Sequence, residues 1–419
     1  MHKIIRHSLF VACLLLVAGL SACNQSNAIK DLRPTVILIS LDGFRSDYLD
    51  KYQPPNLLSL ARDGVRAEWM TPAFPSKTFP NHYTIVTGLY PQNNGIVENN
   101  VFDKGFNATL TMSNREEVQK GRWWLGEPIW VTAEKQGQTT APYFWPGSET
   151  EIEGTRPTYW TPYDGKVQNG ARVDTVLSWL DLPVSVRPTF LTLYFSDVDN
   201  AGHDYSPDSD ETRDAVITVD TDLRRLIDGL KMRGIFSQVN LIIVADHGMA
   251  KQDPKDTIIL DELVDTNLAE KILWGGEIVG IFPNPGKETV IYETLKTKLP
   301  AHARIYRKGE MPARFHYTNS ARIPPLLVLP DEGWTITTRA RFDERAKERK
   351  PGMRGAHGYD NELPSMRAIF IAHGRAFKKG TVIEPFENVQ VYSMMTRILG
   401  LKAAPNDGNE ITANAALAE

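Results

Sequence analysis

Three stretches of this chain are apolar at nearly every position, rich in β-branched residues, and followed by acidic turns. Thr35-Val36-Ile37-Leu38-Ile39-Ser40-Leu41 runs into Asp42-Gly43. Thr189-Phe190-Leu191-Thr192-Leu193-Tyr194-Phe195 runs into Ser196-Asp197-Val198-Asp199-Asn200-Ala201-Gly202-His203. Val239-Asn240-Leu241-Ile242-Ile243-Val244-Ala245 runs into Asp246-His247-Gly248. A continuous run of this kind reads as a strand buried on both faces, the habit of a parallel sheet covered by helices. Between the second and third runs, Val216, Val219, Leu223, Leu226, Ile227 and Leu230 recur at helical spacing with charges on the other face. This grammar predicts an α/β fold, a doubly wound and mostly parallel central sheet with helices on both faces. Ligands of such sheets bind beyond the carboxyl ends of the strands, so three acidic strand ends are expected on one edge. A 419-residue chain of 42% hydrophobic content has enough apolar mass for that core. Its net charge of −4 gives no basis for a nucleic-acid-binding surface.

A hydroxyl stands out between the first two runs. Phe74-Pro75-Ser76-Lys77-Thr78-Phe79-Pro80-Asn81-His82-Tyr83 places Thr78 in a proline-closed turn directly before a short helical segment. Pro80 falls where a first helical turn tolerates it, and Gly88 where such a helix would stop. A hydroxyl there faces backbone N–H groups and the positive end of the helix dipole, which suits a phosphate. A threonine in that place also serves as a plain N-cap.

Metal-ligand character gathers at the same ends. Asp199 and His203 are four apart around a glycine, Asp246 and His247 are adjacent, His357 lies in a glycine-flanked turn, and Asp42 closes the first strand. Mixed imidazole and carboxylate donors suit Zn²⁺. Each piece alone is compatible with a capping turn or a solvated loop histidine; the combination points to a metal site.

With these residues in view, the chain resembles the nucleotide pyrophosphatase/phosphodiesterase family of the alkaline phosphatase superfamily, from about Pro34 to about residue 400. The resemblance is carried by Leu41-Asp42-Gly43-Phe44-Arg45, the Thr78 stretch, Thr87-Gly88-Leu89-Tyr90-Pro91, Asp199 to His203, Asp246-His247-Gly248-Met249 and Gly355 to Asn361, in that order. It implies two zinc ions, one held by Asp199, His203 and His357, the other by Asp42, Asp246, His247 and the nucleophile Thr78. It also implies that Asn99 binds a phosphoryl oxygen and that Phe79, with Tyr163 as partner, packs on a nucleoside base. The implied reaction cleaves nucleotide phosphodiester or pyrophosphate bonds through a phosphothreonine and releases a nucleoside 5′-monophosphate. Coordination to zinc is what would make a threonine hydroxyl a competent nucleophile at neutral pH.

Other reaction classes fit less well. Thr78-Phe79-Pro80-Asn81 lacks the Cys or Ser and the arginine of a sulfatase pattern. A monoesterase needs extra positive charge, for which Lys77 is the candidate. A lipid-headgroup diesterase needs a choline cage, to which Trp123, Trp124 and Trp130 are candidate contributors. A lipid-anchored binding protein without catalysis is the last alternative.

The ends of the chain complete the plan. His2-Lys3-Ile4-Ile5-Arg6-His7 is basic, Leu9 to Leu20 is an apolar run too short to span a bilayer, and Leu20-Ser21-Ala22-Cys23 resembles a bacterial lipobox. Residues 1–22 are read as a lipoprotein signal peptide, Cys23 as the lipidated residue and 23–33 as a tether. Asn24 after the cysteine favours the periplasmic face of the outer membrane. The only other cysteine, Cys13, lies in the signal, so no disulfide is expected in the mature protein. The catalytic core is assigned to 34–276 and 346–405, an α+β cap insertion to 277–345 and a tail to 406–419.

Overall fold

The three apolar runs lie side by side in a computed structural model that describes residues 28–347 and 352–418. The signal peptide, Cys23 and much of the tether fall outside the described residues. Strand β1 (Val36–Leu41) is flanked by the strand at Phe190–Phe195 and the strand at Asn240–Val244, parallel to both, with Val36 opposite Phe190 and Asn240. All six residues of β1 and all five of the strand Asn240–Val244 are buried. A run with no polar face has no alternative but a position covered from both sides.

In chain order the other strands of the sheet are β2 (Val65–Ala67), β3 (Thr140–Ala141), β4 (Phe190–Phe195), β5 (Asn240–Val244) and, after the insertion, Phe370–His373 and Thr381–Ile383; a short β6 (Ala250–Gln252) pairs elsewhere, with Arg354–Ala356. The seven sheet strands run in the spatial order Thr381–Ile383, β2, Phe370–His373, β5, β1, β4, β3. Phe370–His373 is antiparallel to both its neighbours, so the sheet is mixed rather than wholly parallel.

Helices cover both faces. The long helix Asp210–Met232 packs with Asn169–Leu180 and Pro55–Asp63 in one layer. The six apolar positions read at helical spacing in the long helix are all buried. In the other layer, Thr78–Thr87 packs against Val391–Leu399. Residues assigned to a tail include a helix, Ile411–Ala416, which buries Thr412, Ala413 and Ala416 against its neighbours. Small residues at that spacing give it a packing face too weak to stand out in sequence.

The insertion builds its own sheet from β7 (Ala269–Trp274), β8 (Val279–Pro283), β9 (Ala303–Arg307) and β10 (Leu326–Pro330), with β8 and β10 central. Val279, Ile281, Ile291, Leu295, Leu326 and Val328 form a separate apolar cluster under helix Glu288–Lys298. The sheet starts at Ala269, ahead of the sequence boundary at 277. β7 pairs antiparallel with β8 across the Gly275-Gly276 turn, where Gly276 has φ +82°, and the two strands cannot be divided between units.

Candidate active site

The parallel register sets the site. Leu41 lies opposite Phe195, and Ser40 opposite Val244, so the chain leaves all three strands at one edge. Asp42 follows β1, Asp246 follows β5, and Asp199 sits just beyond β4. The glycine between Asp199 and His203 suggests a turn; they lie instead on a helix, Asp197–Tyr205, whose i,i+4 spacing stacks them on one face. Gly43 makes room for that helix. It has φ +71°, and a Cβ there would stand 2.9 Å from the Asp199 Cα.

Thr78 starts helix Thr78–Thr87 as its first residue, and the N-cap position belongs to Lys77, which makes no side-chain cap bond. The plain N-cap role is therefore excluded for Thr78. Its hydroxyl instead lies 3.4 Å from His247 Nε2. The turn before it is clamped by Asn81, whose Oδ1 accepts from the Ala73 N–H (2.7 Å) and whose Nδ2 donates to the carbonyls of Pro75 and Lys77 (both 2.9 Å). Gly88, at φ +66°, ends the helix as expected.

The ligand candidates converge. Donor atoms of Asp42, Asp246 and His247 all lie within 4.8 Å of one another, and so do those of Asp199, His247 and His357. His247 Nε2 stands 2.9 Å from Asp246 Oδ2 and 3.5 Å from Asp42 Oδ1. Asp199 Oδ1 stands 3.4 Å from His203 Nε2 and 3.7 Å from His357 Nε2. The resemblance assigned His247 to one ion only; its geometry puts it between the two groups, its ring stacked at 3.5 Å on that of His357.

Two observations test whether these residues suit a cation. Asp42 Oδ1, Asp199 Oδ1 and Asp246 Oδ2 are buried oxygens without a hydrogen-bond donor. Such orphans are rare because a buried, unpaired carboxylate oxygen is costly. Each of the three histidines also has Nδ1 against a backbone carbonyl: His203 on Gly355 (2.9 Å), His247 on Gly248 (2.8 Å) and His357 on Ser76 (2.9 Å). An Nδ1–H donated to a carbonyl leaves the Nε2 lone pair facing inward, as a metal ligand requires. The donor set fits divalent cations.

Electrostatics agree. Burial, with Asp246 and Asp199 nearby, pushes the Asp42 carboxyl well up. Burial acts the same way on Asp246, but His247 and His82 outweigh it and hold that carboxyl well down. Burial, reinforced by His247, Lys77 and His203, keeps His357 neutral far below the usual imidazole range. Although burial opposes charge on His247, Asp246 raises its pKa. A cluster that draws positive charge to His247 would exchange that proton for a metal.

Sequence reasoning missed three supports. His82, one turn along the Thr78 helix, has Nδ1 2.9 Å from the Thr78 carbonyl and 3.3 Å from Asp246 Oδ2, and its Nε2 meets Ser40 Oγ at 2.8 Å. Its i+4 spacing from Thr78 was the available signal. Tyr194 donates to Asp42 Oδ2 at 2.6 Å, and the Gly43 N–H to Asp246 Oδ1 at 3.2 Å. These pairings join separate strands and leave no local pattern.

Beside Thr78 opens a cavity lined by Phe79, Phe144, Tyr163, Tyr194 and the Arg115–Glu149 ion pair. Tyr163 is exposed here, its ring 5.2 Å from that of Phe144. Asn99 Oδ1 accepts from the Phe79 N–H at 2.9 Å, which fixes the amide and leaves Nδ2 as a free donor beside the Thr78 turn. The tryptophans do not form a cage. Trp123, Trp124 and Trp130 are at most 2% exposed, and Trp124 packs against Phe79 and Tyr83. Lys77 does not offer a free charge either, because its ammonium is paired with Glu277 at 2.5 Å.

Residues 36–360 match the family described as type I phosphodiesterase / nucleotide pyrophosphatase. The chain is 41% identical over 411 residues to an uncharacterised pyrophosphatase/phosphodiesterase of Schizosaccharomyces pombe, covering 95% of this chain and 83% of that one. It is 39% identical over 391 residues to ectonucleotide pyrophosphatase/phosphodiesterase family member 3 of Bos taurus, covering 91% of this chain but only 44% of the bovine protein. The fold superposes with a TM-score of 0.84, at 32% identity, on murine ectonucleotide pyrophosphatase/phosphodiesterase 5 in an inactive threonine-to-alanine form in complex with AMP. That match covers 91% of this chain and 99% of the murine one.

Proposed function

The chain belongs to the type I phosphodiesterase / nucleotide pyrophosphatase family, and from that premise we infer a two-zinc hydrolase that cleaves nucleotide phosphodiester or pyrophosphate bonds and releases a nucleoside 5′-monophosphate. The observation that carries this reading is the uncapped Thr78 hydroxyl, 3.4 Å from His247 Nε2, beside a ring of orphaned carboxylate oxygens. The murine neighbour, inactive with a threonine replaced by alanine and holding AMP, supports both the nucleophile and the nucleotide.

Asp42, Thr78, Asp246 and His247 would hold one ion, and Asp199, His203 and His357 the other. When bound, the ions supply the charge that lowers the hydroxyl pKa and offsets charge on the phosphoryl group. Thr78 Oγ1 forms the new bond to phosphorus while the bond to the leaving oxygen breaks, which gives a phosphothreonine. Water then cleaves that ester and restores the hydroxyl. Asn99 Nδ2 donates to a phosphoryl oxygen, its orientation held by the Phe79 N–H. Phe79 and Tyr163 take the base between them in the adjoining cavity. Tyr194 and the Gly43 N–H orient the acids by occupying their outer oxygens.

The test compares kcat/KM on a nitrophenyl ester of a nucleoside monophosphate and on nitrophenyl phosphate, with zinc restored. A diester preference of at least roughly a hundredfold is expected; preference for the monoester would overturn the reading. Lipidation at Cys23 and an outer-membrane location remain part of the proposal, supported by the lipobox. Among the described residues no helix is long and apolar enough to cross a membrane. A labelled fatty acid should appear in the wild type and disappear in Cys23→Ala.

A further inference from the structure

Thr78 has two flanks with different chemistry. On the Tyr194 side lies the aromatic cavity with Phe79, Phe144 and Tyr163. On the His357 side lies Lys77, the residue before the nucleophile. Its side chain runs over Gly358, where a Cβ would stand 2.2 Å from the Lys77 Cε, so that only glycine leaves the passage open. Gly358 directly follows His357, so the Lys77 side chain passes along the His357 turn.

That ammonium is held from the insertion. Lys77 Nζ donates to Glu277 Oε2 at 2.5 Å and to the Gly275 carbonyl at 3.1 Å, both in the turn between β7 and β8. Lys77 and Glu277 side chains are 8% and 12% exposed. A second acid lies against the same turn: Glu98 is 6% exposed, its Oε2 accepts from the Asn100 N–H at 2.9 Å, and its Oε1, buried without a donor, stands 3.4 Å from where a Gly275 Cβ would be. Two carboxyl groups thus accompany one ammonium on the His357 flank.

In-line attack by Thr78 expels the leaving group on the face of phosphorus opposite Thr78 Oγ1. With the base in the aromatic cavity on the Tyr194 flank, the His357 flank is the one left for the departing group. We propose that Glu277 is a specificity-determining residue: by holding Lys77 it withholds positive charge from the leaving-group side and disfavours leaving groups of high negative charge. Substrates with weakly charged leaving groups are preferred over nucleoside triphosphates, whose leaving group is pyrophosphate. This rests on the phosphodiesterase reading above and adds to it the charge of the departing half. The insertion thereby acts on chemistry carried by the core.

The experiment uses the full zinc-loaded protein, a nucleoside 5′-triphosphate and the nitrophenyl ester of the same nucleoside monophosphate. Glu277→Gln preserves shape and removes the acid, so the triphosphate-to-ester ratio of kcat/KM should rise roughly tenfold. The double variant Lys77→Met/Glu277→Gln should return the ratio to within about twofold of wild type, because the released ammonium is gone. Calorimetric affinity for inorganic pyrophosphate should tighten by a similar factor in Glu277→Gln and not in the double variant. An unchanged ratio and pyrophosphate affinity in Glu277→Gln, with ester turnover intact, overturns the inference and leaves the phosphodiesterase reading standing. A gain that survives in the double variant overturns it too. If the wild type turns over neither nucleotide, the functional reading falls, and pyrophosphate affinity alone decides the role of Glu277.

Discussion

Two regions of this protein bury aspartate and treat it in opposite ways. Asp220, on the long helix Asp210–Met232, is 1% exposed, yet every part of its carboxylate is used. It accepts from the Leu57 N–H (2.8 Å), the Asn56 N–H (3.2 Å) and Asn56 Nδ2 (2.7 Å), and so closes the open N-terminus of helix Pro55–Asp63. At the strand ends, Asp42 and Asp246 give one oxygen to the protein, through Tyr194 and Gly43, and turn the other inward with no donor. Burial of an acid is therefore not what marks a site. The convergence of unspent lone pairs is: the orphaned oxygens of Asp42, Asp199 and Asp246 gather with histidines in one place, whereas the single orphan on Glu98 has no such company among the described residues.

Substitutions can break or sharpen that contrast. The largest effect belongs to the unspent side: Asp246→Asn or Thr78→Ala should cut turnover of the nitrophenyl nucleotide ester by at least about 10³-fold. Asp246→Asn should also lower zinc content, whereas Thr78→Ala should keep nucleotide binding. His82→Ala, which touches both the Thr78 carbonyl and Asp246, should cost about 10- to 100-fold in kcat/KM as an orienting residue. Asp220→Ala should reverse the pattern, losing about 1–3 kcal/mol of stability by denaturant unfolding while kcat/KM stays nearly unchanged.

The smallest effect is at Glu117, whose carboxylate accepts from Lys120, Arg122 and the Trp123 indole. Hydrogen bonds from Lys120 and Arg122 lower its pKa from 4.5 to about 2. A depressed carboxyl contributes stability above its unfolded pKa and loses it as pH falls through the folded value. The small Tm deficit of Glu117→Gln should thus be complete at neutral pH and narrow between pH 4.5 and about 2.

Much of the site was legible because its signals are local. An apolar run without alternation names a buried parallel strand, and an acid after it names a candidate at the strand end. Asp42, Asp246 and Asp199 stand out that way, and the structure brings all three together. Helical periodicity located the buried face of Asp210–Met232, and Gly88 located the end of the Thr78 helix. Less was legible where partners are distant or a local pattern has two meanings. Asp199 and His203 at i,i+4 read as a turn because the intervening glycine suggests one. Tyr194 reads as one more strand residue until its hydroxyl is seen on Asp42. Glu277 reaches Lys77 from 200 positions away, and no periodicity joins them. The tryptophans left cage and core open in sequence, because an aromatic residue has the same letter in both; their burial decides for the core.

The contrast between spent and unspent acids has one direct measurement: anomalous diffraction at the zinc edge from crystals of the zinc-loaded protein. Two peaks are expected, one among Asp42, Thr78, Asp246 and His247 and one among Asp199, His203 and His357, with none at Asp220. No anomalous density beside the orphaned oxygens of Asp42, Asp199 and Asp246 would contradict it.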